Sequence, residues 1–245
     1  MQLENTVALI TGGSQGLGLA LARALGKRGV KVALMARDAA RLERVQRALA
    51  AEGIRVQTVA ADVADKEAIY PSIGQLQATL GPIDILVHNA SSLGHVPLRP
   101  LLDTECEVLE QTLATNLVGP FRLSKALAPG MVLRGQGALV HISSDAAVNA
   151  YPSWGAYGTS KAALDHLARH FAAELEGSGV SVLSVDPGEM DTAMHRDALP
   201  DADPSSLARP EAVAERIVAL ISAEPSRHHG QRRVIAELES VEVPS

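Results

Sequence analysis

The chain has 245 residues, 47% hydrophobic and only 2% aromatic, with 22 Lys and Arg set against 28 Asp and Glu for a net charge of −6. That length and apolar content predict one large α/β domain over residues 1–245, and an acidic balance with dispersed basic residues excludes nucleic acid as a natural partner. Cys106 is the single cysteine, which excludes an internal disulfide and a multi-cysteine zinc site, and the N-terminus has no basic region followed by a long apolar segment. A cytoplasmic protein without a membrane partner is the expectation.

In chain order, residues 6–10 form a first short apolar run, as in a parallel strand covered on both faces. Thr11-Gly12-Gly13-Ser14-Gln15-Gly16-Leu17-Gly18 follows and opens a helical segment over 17–28. Glycines allow unusual dihedrals and close backbone approach, while a helix N-terminus offers unpaired N–H groups to a pyrophosphate. The spacing departs from Gly-x-Gly-x-x-Gly, so the turn alone reads equally as a tight strand-to-helix connection.

A second strand over 30–36 ends at Ala36, with Arg37 and Asp38 next. An acid at this place would hold the adenosine ribose hydroxyls; an uncharged Ala36 followed by Arg37 points to a 2′-phosphate, hence NADP with NADPH preferred over NADH. The plainer alternative is a surface arginine paired with Asp38. In the helix over 39–51, Arg41, Arg44 and Arg47 recur at three-residue spacing with Glu43 and Glu52 nearby, which reads as a solvated face.

Strands over 54–60 and 83–88 flank a helix over 66–80. A long helical segment over 104–133 contains Pro120 and Pro129, predicting a kink or break. A strand over 138–143, a helix over 156–176, a strand over 180–186, a helix over 211–223 and a weaker strand over 233–236 complete the pattern, with 199–210 the most loop-like stretch. The alternation predicts an α/β fold: a doubly wound, Rossmann-type parallel sheet of about seven strands with helices on both faces.

Tyr157 and Lys161 lie four residues apart, on one face of a helix, and Ser144 precedes the tyrosine by thirteen positions. A phenol with an ordinary pKa of about 10 needs a nearby cation to work as an acid or base at neutral pH, and a lysine at i+4 is such a neighbour. Taken alone, the pair also describes a solvated helix face. Ser143 rivals Ser144 because both follow the same strand; the thirteen-residue offset favours Ser144.

With these residues in place, the chain resembles the short-chain dehydrogenase/reductase family in its single-domain form, over nearly its whole length. The glycine turn resembles the family's Thr-Gly-x-x-x-Gly-x-Gly, and Asp62-Val63 its adenine-contacting pair. Asn89-Ala90 is similar to its Asn-Ala element, Asn116 to its helix asparagine, Ser144, Tyr157 and Lys161 to its remaining catalytic residues, and Pro187-Gly188 with Thr192 to the segment holding the nicotinamide. The sequence departs from the pattern at His88-Asn89-Ala90-Ser91, where the family commonly has Asn-Asn-Ala-Gly, and it has no Gly-Gly after the last strand; its tail is Val243-Pro244-Ser245.

The resemblance implies hydride transfer between a nicotinamide and a carbonyl or alcohol carbon. Tyr157 would act as acid/base, Lys161 would stabilise phenolate and bind ribose, Ser144 would donate to the substrate oxygen, and Asn116 would help hold a relay water. Gly12, Ser14, Gln15, Gly16, Leu17, Gly18, Arg37, Asp62, Val63, Asn89, Ala90, Pro187, Gly188 and Thr192 would join Tyr157 and Lys161 in holding the cofactor. No metal is implied, and His166 and His170, at i, i+4 without an intervening Glu motif, read as helix-surface residues.

Leu93, Val96, Val148, Tyr151, Trp154, Met190 and Met194 are candidates for an apolar wall around a small or medium substrate. In this family the segments 104–133 and 156–176 pair subunits, so a homodimer or homotetramer is expected, with Leu164, Leu167 and Phe171 facing outward. A silent NADP-binding regulatory protein and an epimerase or dehydratase use of the same site are the alternatives.

Overall fold

The computed structural model describes residues 1–223 and 225–238, with only the main chain of 225 and 226; the tail at Val243-Pro244-Ser245 lies outside the described residues. Seven parallel strands form one sheet: β1 Val7–Thr11, β2 Lys31–Ala36, β3 Val56–Ala60, β4 Ile85–His88, β5 Gly137–Ile142, β6 Val180–Asp186 and β7 Arg232–Val234. Their order is β3-β2-β1-β4-β5-β6-β7. The order reverses beside β1, so the ends of β1 and β4 diverge into a crevice where such sheets bind ligands.

The helices are α1 Gly16–Gly26, α2 Ala39–Ala51, α3 Lys66–Leu80, α4 Cys106–Leu113, α5 Gly119–Arg134, α6 Gly155–Glu174, α7 Ala193–Ala198 and α8 Pro210–Ser222. Strand alternation sorts the core into two layers. Ala8, Ile10, Val87 and Val140 pack with residues of α1, α2 and α8, while Val7, Leu9, Leu86 and Leu139 pack with α3, α5 and α6. Burying each of the Val, Leu and Ile side chains among these stabilises the fold by roughly 1.5–3 kcal/mol.

Local chemistry sets the helix starts. Asp38 caps α2 by accepting from the Arg41 N–H at 2.9 Å, and Asp65 caps α3 through the Glu67 N–H at 3.0 Å. The last strand is shorter than the 233–236 pattern and shifted by one residue, because the main chain turns into a 3₁₀ segment at Ile235–Glu237.

The expected break in the 104–133 segment takes the form of a π-helical stretch, Ala114–Val118, which joins α4 to α5. Pro120 explains its position: it has no N–H to give the Asn116 carbonyl four residues earlier, and a wider turn relieves the clash of its ring. Pro129 lies within α5, which continues to Arg134. Ahead of the loop-like 199–210 stretch, Thr192 caps the short helix α7, and Met190 bridges Ala208 within that stretch. Among the described residues, no helix is long and apolar enough to cross a membrane.

Two outward assignments on α6 divide. Leu164 is turned inward and buried, a correction forced by its position one turn from the buried Ser160 and Lys161, whereas Leu167 and Phe171 are partly exposed. Phe171 stands 6.2 Å, ring to ring, from the exposed Phe121 of α5.

Candidate active site

A cleft of about 1210 Å³ runs along the C-terminal ends of the strands, from Arg37 and Asp62 at one end to Tyr157 and Trp154 at the other. Its floor begins at the β1–α1 turn. Gly12 has φ +65°, and a Cβ there would come 2.9 Å from the Ala90 Cα; one on Gly18 would come 2.5 Å from the Gly12 carbonyl oxygen. The turn therefore needs bare backbone at both places.

Asn89 locks this turn from β4. Its amide donates to the Thr11 carbonyl at 2.9 Å and to the Gly12 carbonyl at 3.2 Å, while the Thr11 hydroxyl accepts from the Asn89 and Ala90 N–H groups. Ser14, Gln15, Gly16, Leu17, Arg37, Asp62, Val63, Asn89, Ala90, Pro187, Gly188 and Thr192 all line the cleft with Gly12, Ser144, Tyr157 and Lys161. Gly18 does not line it and acts by close packing beneath the turn.

Arg41 corrects the reading of α2 as a solvated face. It sits in the first helical turn, lines the cleft beside Arg37, bonds the Gln15 side chain and pairs with Asp38 at 3.5 Å. The signal was in the sequence: Asp38 is a capping residue type directly after the second strand, so Arg41 falls in the first helical turn, at the same end of the sheet as the glycine turn. Arg44 and Arg47 remain exposed, with Arg47 paired to Glu43.

At the other end, Tyr157 stands on the first turn of α6 with its ring edge-on to Trp154 at 5.7 Å. Burial pushes its phenol up to about 12, against the direction expected from a neighbouring lysine; the Ser144 and Ser91 hydroxyls that face it pull downward, and Asp186 and Asp145 add to the rise. Lys161 is fully buried, its ammonium 5.6 Å from the tyrosine ring centre and donating to the Ile142 carbonyl at 2.7 Å. Burial lowers its pKa to about 8 against the upward pull of Asp165 and Asp186.

The two serines separate clearly. Both border the cleft, but Ser143 is buried and donates to Asp165 at 2.7 Å, whereas the half-buried Ser144 donates to Asp145 at 2.9 Å. Asp145 also accepts from Tyr151 at 2.8 Å, a contact that residue spacing could not reveal. Asn116 lies in the π turn, buried and away from the cleft wall. Its side chain accepts from the Ser92 N–H at 2.7 Å and donates to the Ser92 carbonyl and the Ser160 hydroxyl, both at 2.8 Å. It braces the loop after Asn89 against α6.

His88, where the resembling family commonly has asparagine, is buried and bonds Ser124 on α5 at 2.8 Å. It lies 4.7 Å, ring to ring, from His141 on β5. Burial lowers both imidazoles, His141 to about 4, so both are neutral at neutral pH. Among the described residues, no group of three or more His, Cys, Asp or Glu is placed to hold a metal ion.

Leu93, Val96, Tyr151, Trp154, Met190 and Met194 line the cleft, but Val148 does not and is exposed. Leu93, Ala146 and Tyr157, with Leu98, Trp154, Met194 and Ala198, form a small apolar cluster over this end. A dinucleotide fits the whole: the length of the cleft, a glycine turn that admits close backbone approach and two arginines at the end opposite Tyr157 match its anionic and aromatic parts.

Residues 6–203 match the family described as short chain dehydrogenase. The chain is similar to a short chain dehydrogenase of Pseudocercospora fijiensis, at 33% identity over 79% of this chain and 62% of the relative. It is also similar to 2-(R)-hydroxypropyl-CoM dehydrogenase of Xanthobacter autotrophicus, at 36% identity over 77% and 76%. A short chain dehydrogenase of Escherichia coli CFT073, solved in complex with NADPH, superposes with a TM-score of 0.89 at 26% identity, covering 96% of this chain and 98% of that one.

Proposed function

The chain belongs to the short-chain dehydrogenase/reductase family of oxidoreductases, and from that premise we propose that it is an NADP-dependent enzyme acting on a small or medium carbonyl or alcohol, with Tyr157 as acid/base. The observation that carries this reading is the convergence of Ser144, Tyr157 and Lys161 at one end of a cleft whose other end holds Arg37 and Arg41. The NADPH complex of the Escherichia coli relative supports the choice of cofactor.

In this reading Arg37 and Arg41 hold the 2′-phosphate, and Asp62 and Val63 border the adenine. The N–H groups at the start of α1 face the pyrophosphate, while Pro187, Gly188 and Thr192 hold the nicotinamide end. The bound nicotinamide supplies or accepts the hydride. Ser144 donates to the substrate oxygen and fixes its position; the proton it now shares with Asp145 is redirected to that oxygen. In reduction Tyr157 gives its phenolic proton to the oxygen as the carbon gains hydride, and in oxidation it takes the hydroxyl proton.

Lys161 keeps a positive charge below the phenolate, with one N–H held by Ile142 and the others free for a ribose hydroxyl. Asn116 maintains the geometry of the loop and α6. The wall of Leu93, Trp154 and Met194 favours a compact, largely apolar carbonyl over a strongly anionic one, since Asp145, Glu189 and Asp197 also line that end.

The test is a spectrophotometric screen of the purified protein with NADPH, NADP, NADH and NAD against varied carbonyls and alcohols. Net oxidation or reduction of the NADP pair is expected. Tight NADPH binding without turnover across the panel would instead indicate a silent binding protein, and product formed without net redox change an epimerase or dehydratase.

A further inference from the structure

Arg232 lies on the edge strand β7, outside the cleft, yet three parts of the site meet at its guanidinium. Its Nη2 donates to the main-chain carbonyl of Ser144 at 2.9 Å and to Asp186 Oδ2 at 2.7 Å. Its Nε pairs with Asp165 Oδ2 at 3.2 Å. Each carboxylate passes the contact on. Asp186 Oδ1 accepts from the Gly188 N–H at 3.0 Å, in the turn proposed to hold the nicotinamide, and Asp165 Oδ2 accepts from Ser143.

Asp165 is one helical turn beyond Lys161 and two beyond Tyr157, on the same sheet-facing side of α6. We propose that Arg232 is a positioning residue for the reaction, a single side chain that ties the backbone of Ser144, the turn at Gly188 and the helix of Tyr157 and Lys161 into one frame. The inference rests on the assignment of those residues to hydride-transfer chemistry.

A planar fork suits the task, because Nη2 bonds the Ser144 carbonyl and Asp186 together while Nε faces Asp165 as an ion pair without hydrogen-bond geometry, where an ammonium offers a point charge. The side chain is only 22% exposed, and the two carboxylates are more deeply buried, so the contacts act in a medium where losing one partner leaves charge uncompensated. The groups facing Lys161 are Asp165 and Tyr157 from α6, Asp186 from β6, His141 from β5 and His88 from β4. With both histidines neutral, two carboxylates stand against two cations, Lys161 and Arg232. Removing Arg232 leaves both acids acting on Lys161, and Asp186 acting on the phenol as well.

The experiment compares Arg232→Met, Arg232→Lys and the double variant Arg232→Met with Asp165→Asn, each checked for folding by circular dichroism. The Lys161 side-chain carbon is titrated by NMR on lysine-labelled protein, and kcat and KM are measured with NADPH and the best carbonyl from the screen. Arg232→Met is expected to raise the Lys161 titration by about one pH unit and to lower kcat about tenfold, with KM for NADPH within about threefold.

Arg232→Lys should restore the titration and part of kcat. The double variant should restore the titration but not kcat, because the Ser144 contact stays broken. The proposal is overturned if folded Arg232→Met leaves the titration and kcat unchanged, or if Arg232→Lys and the double variant both titrate like Arg232→Met. Should Arg232→Met not fold, Arg232→Gln takes its place, alone and with Asp165→Asn, with the same expected shifts and the same overturning outcomes. The titration needs no substrate, so it remains decisive even if the screen finds no redox activity.

Discussion

Lys161 donates its ammonium to the carbonyl of Ile142 at 2.7 Å from a position only 2% exposed. Its pKa is lowered from 10.5 to about 8, so folding disfavours its charged form. The stability linked to this group is complete above the unfolded pKa and is lost as pH falls through about 8, leaving a cost of about 3 kcal/mol at neutral pH. Lys161→Met should therefore abolish turnover and yet stabilise the fold at pH 7 by about 1–3 kcal/mol, with the gain disappearing above pH 10.5. Urea denaturation at several pH values measures this; a variant less stable than the parent at pH 7 would show that the ion pairs and the Ile142 bond outweigh desolvation.

Tyr157→Phe removes the hydroxyl proposed to transfer the proton, and little volume. Turnover should fall by about a thousandfold while NADPH binding, followed by fluorescence, stays within about threefold. Near-normal turnover in this variant would eliminate Tyr157 as the acid/base.

Arg37 and Arg41 bracket the end of the cleft farthest from Tyr157. Charge-assisted bonds to a phosphate contribute about 1.5–3 kcal/mol each, so replacing either arginine with Ala should raise KM for NADPH roughly tenfold to a hundredfold and leave NADH nearly unaffected. Paired steady-state measurements with the two cofactors decide it, and equal losses with both would dissociate these arginines from the 2′-phosphate.

His141 gives the fold an acid limit. Its unfolded pKa of about 6.5 is lowered to about 4 in the folded protein, chiefly by burial. The linked stability is present above pH 6.5 and declines as pH falls through about 4, by up to about 3 kcal/mol. Replacing His141 with Gln should flatten the pH dependence of the denaturation midpoint between pH 6.5 and 4. An unchanged slope would place the acid sensitivity elsewhere, with His88 the next group to replace.

Much of the architecture was legible because parallel strands buried on both faces read as apolar runs, and helices as longer periodic segments. The 39–51, 66–80 and 180–186 patterns coincide with α2, α3 and β6. The ends of other elements shifted where hydrogen bonding overrode hydropathy, as at the short β7. The helix α7 was missed because six residues carry too little periodicity, and Leu164 was turned the wrong way because an apolar residue on a helix does not announce which neighbour covers it.

Residue identity and order by themselves determined the alternating fold, the glycine turn after the first strand and the family to which the chain belongs, and they singled out the candidate set Ser144, Tyr157 and Lys161. Tertiary structure decided how those groups are tuned. Burial raises the Tyr157 phenol and lowers Lys161, the start of α2 turns Arg41 into the cleft, and strand pairing delivers Arg232 to Ser144, Asp165 and Asp186. The reason is physical: desolvation and charge pairing depend on distances between residues far apart in the chain, which sequence periodicity does not encode.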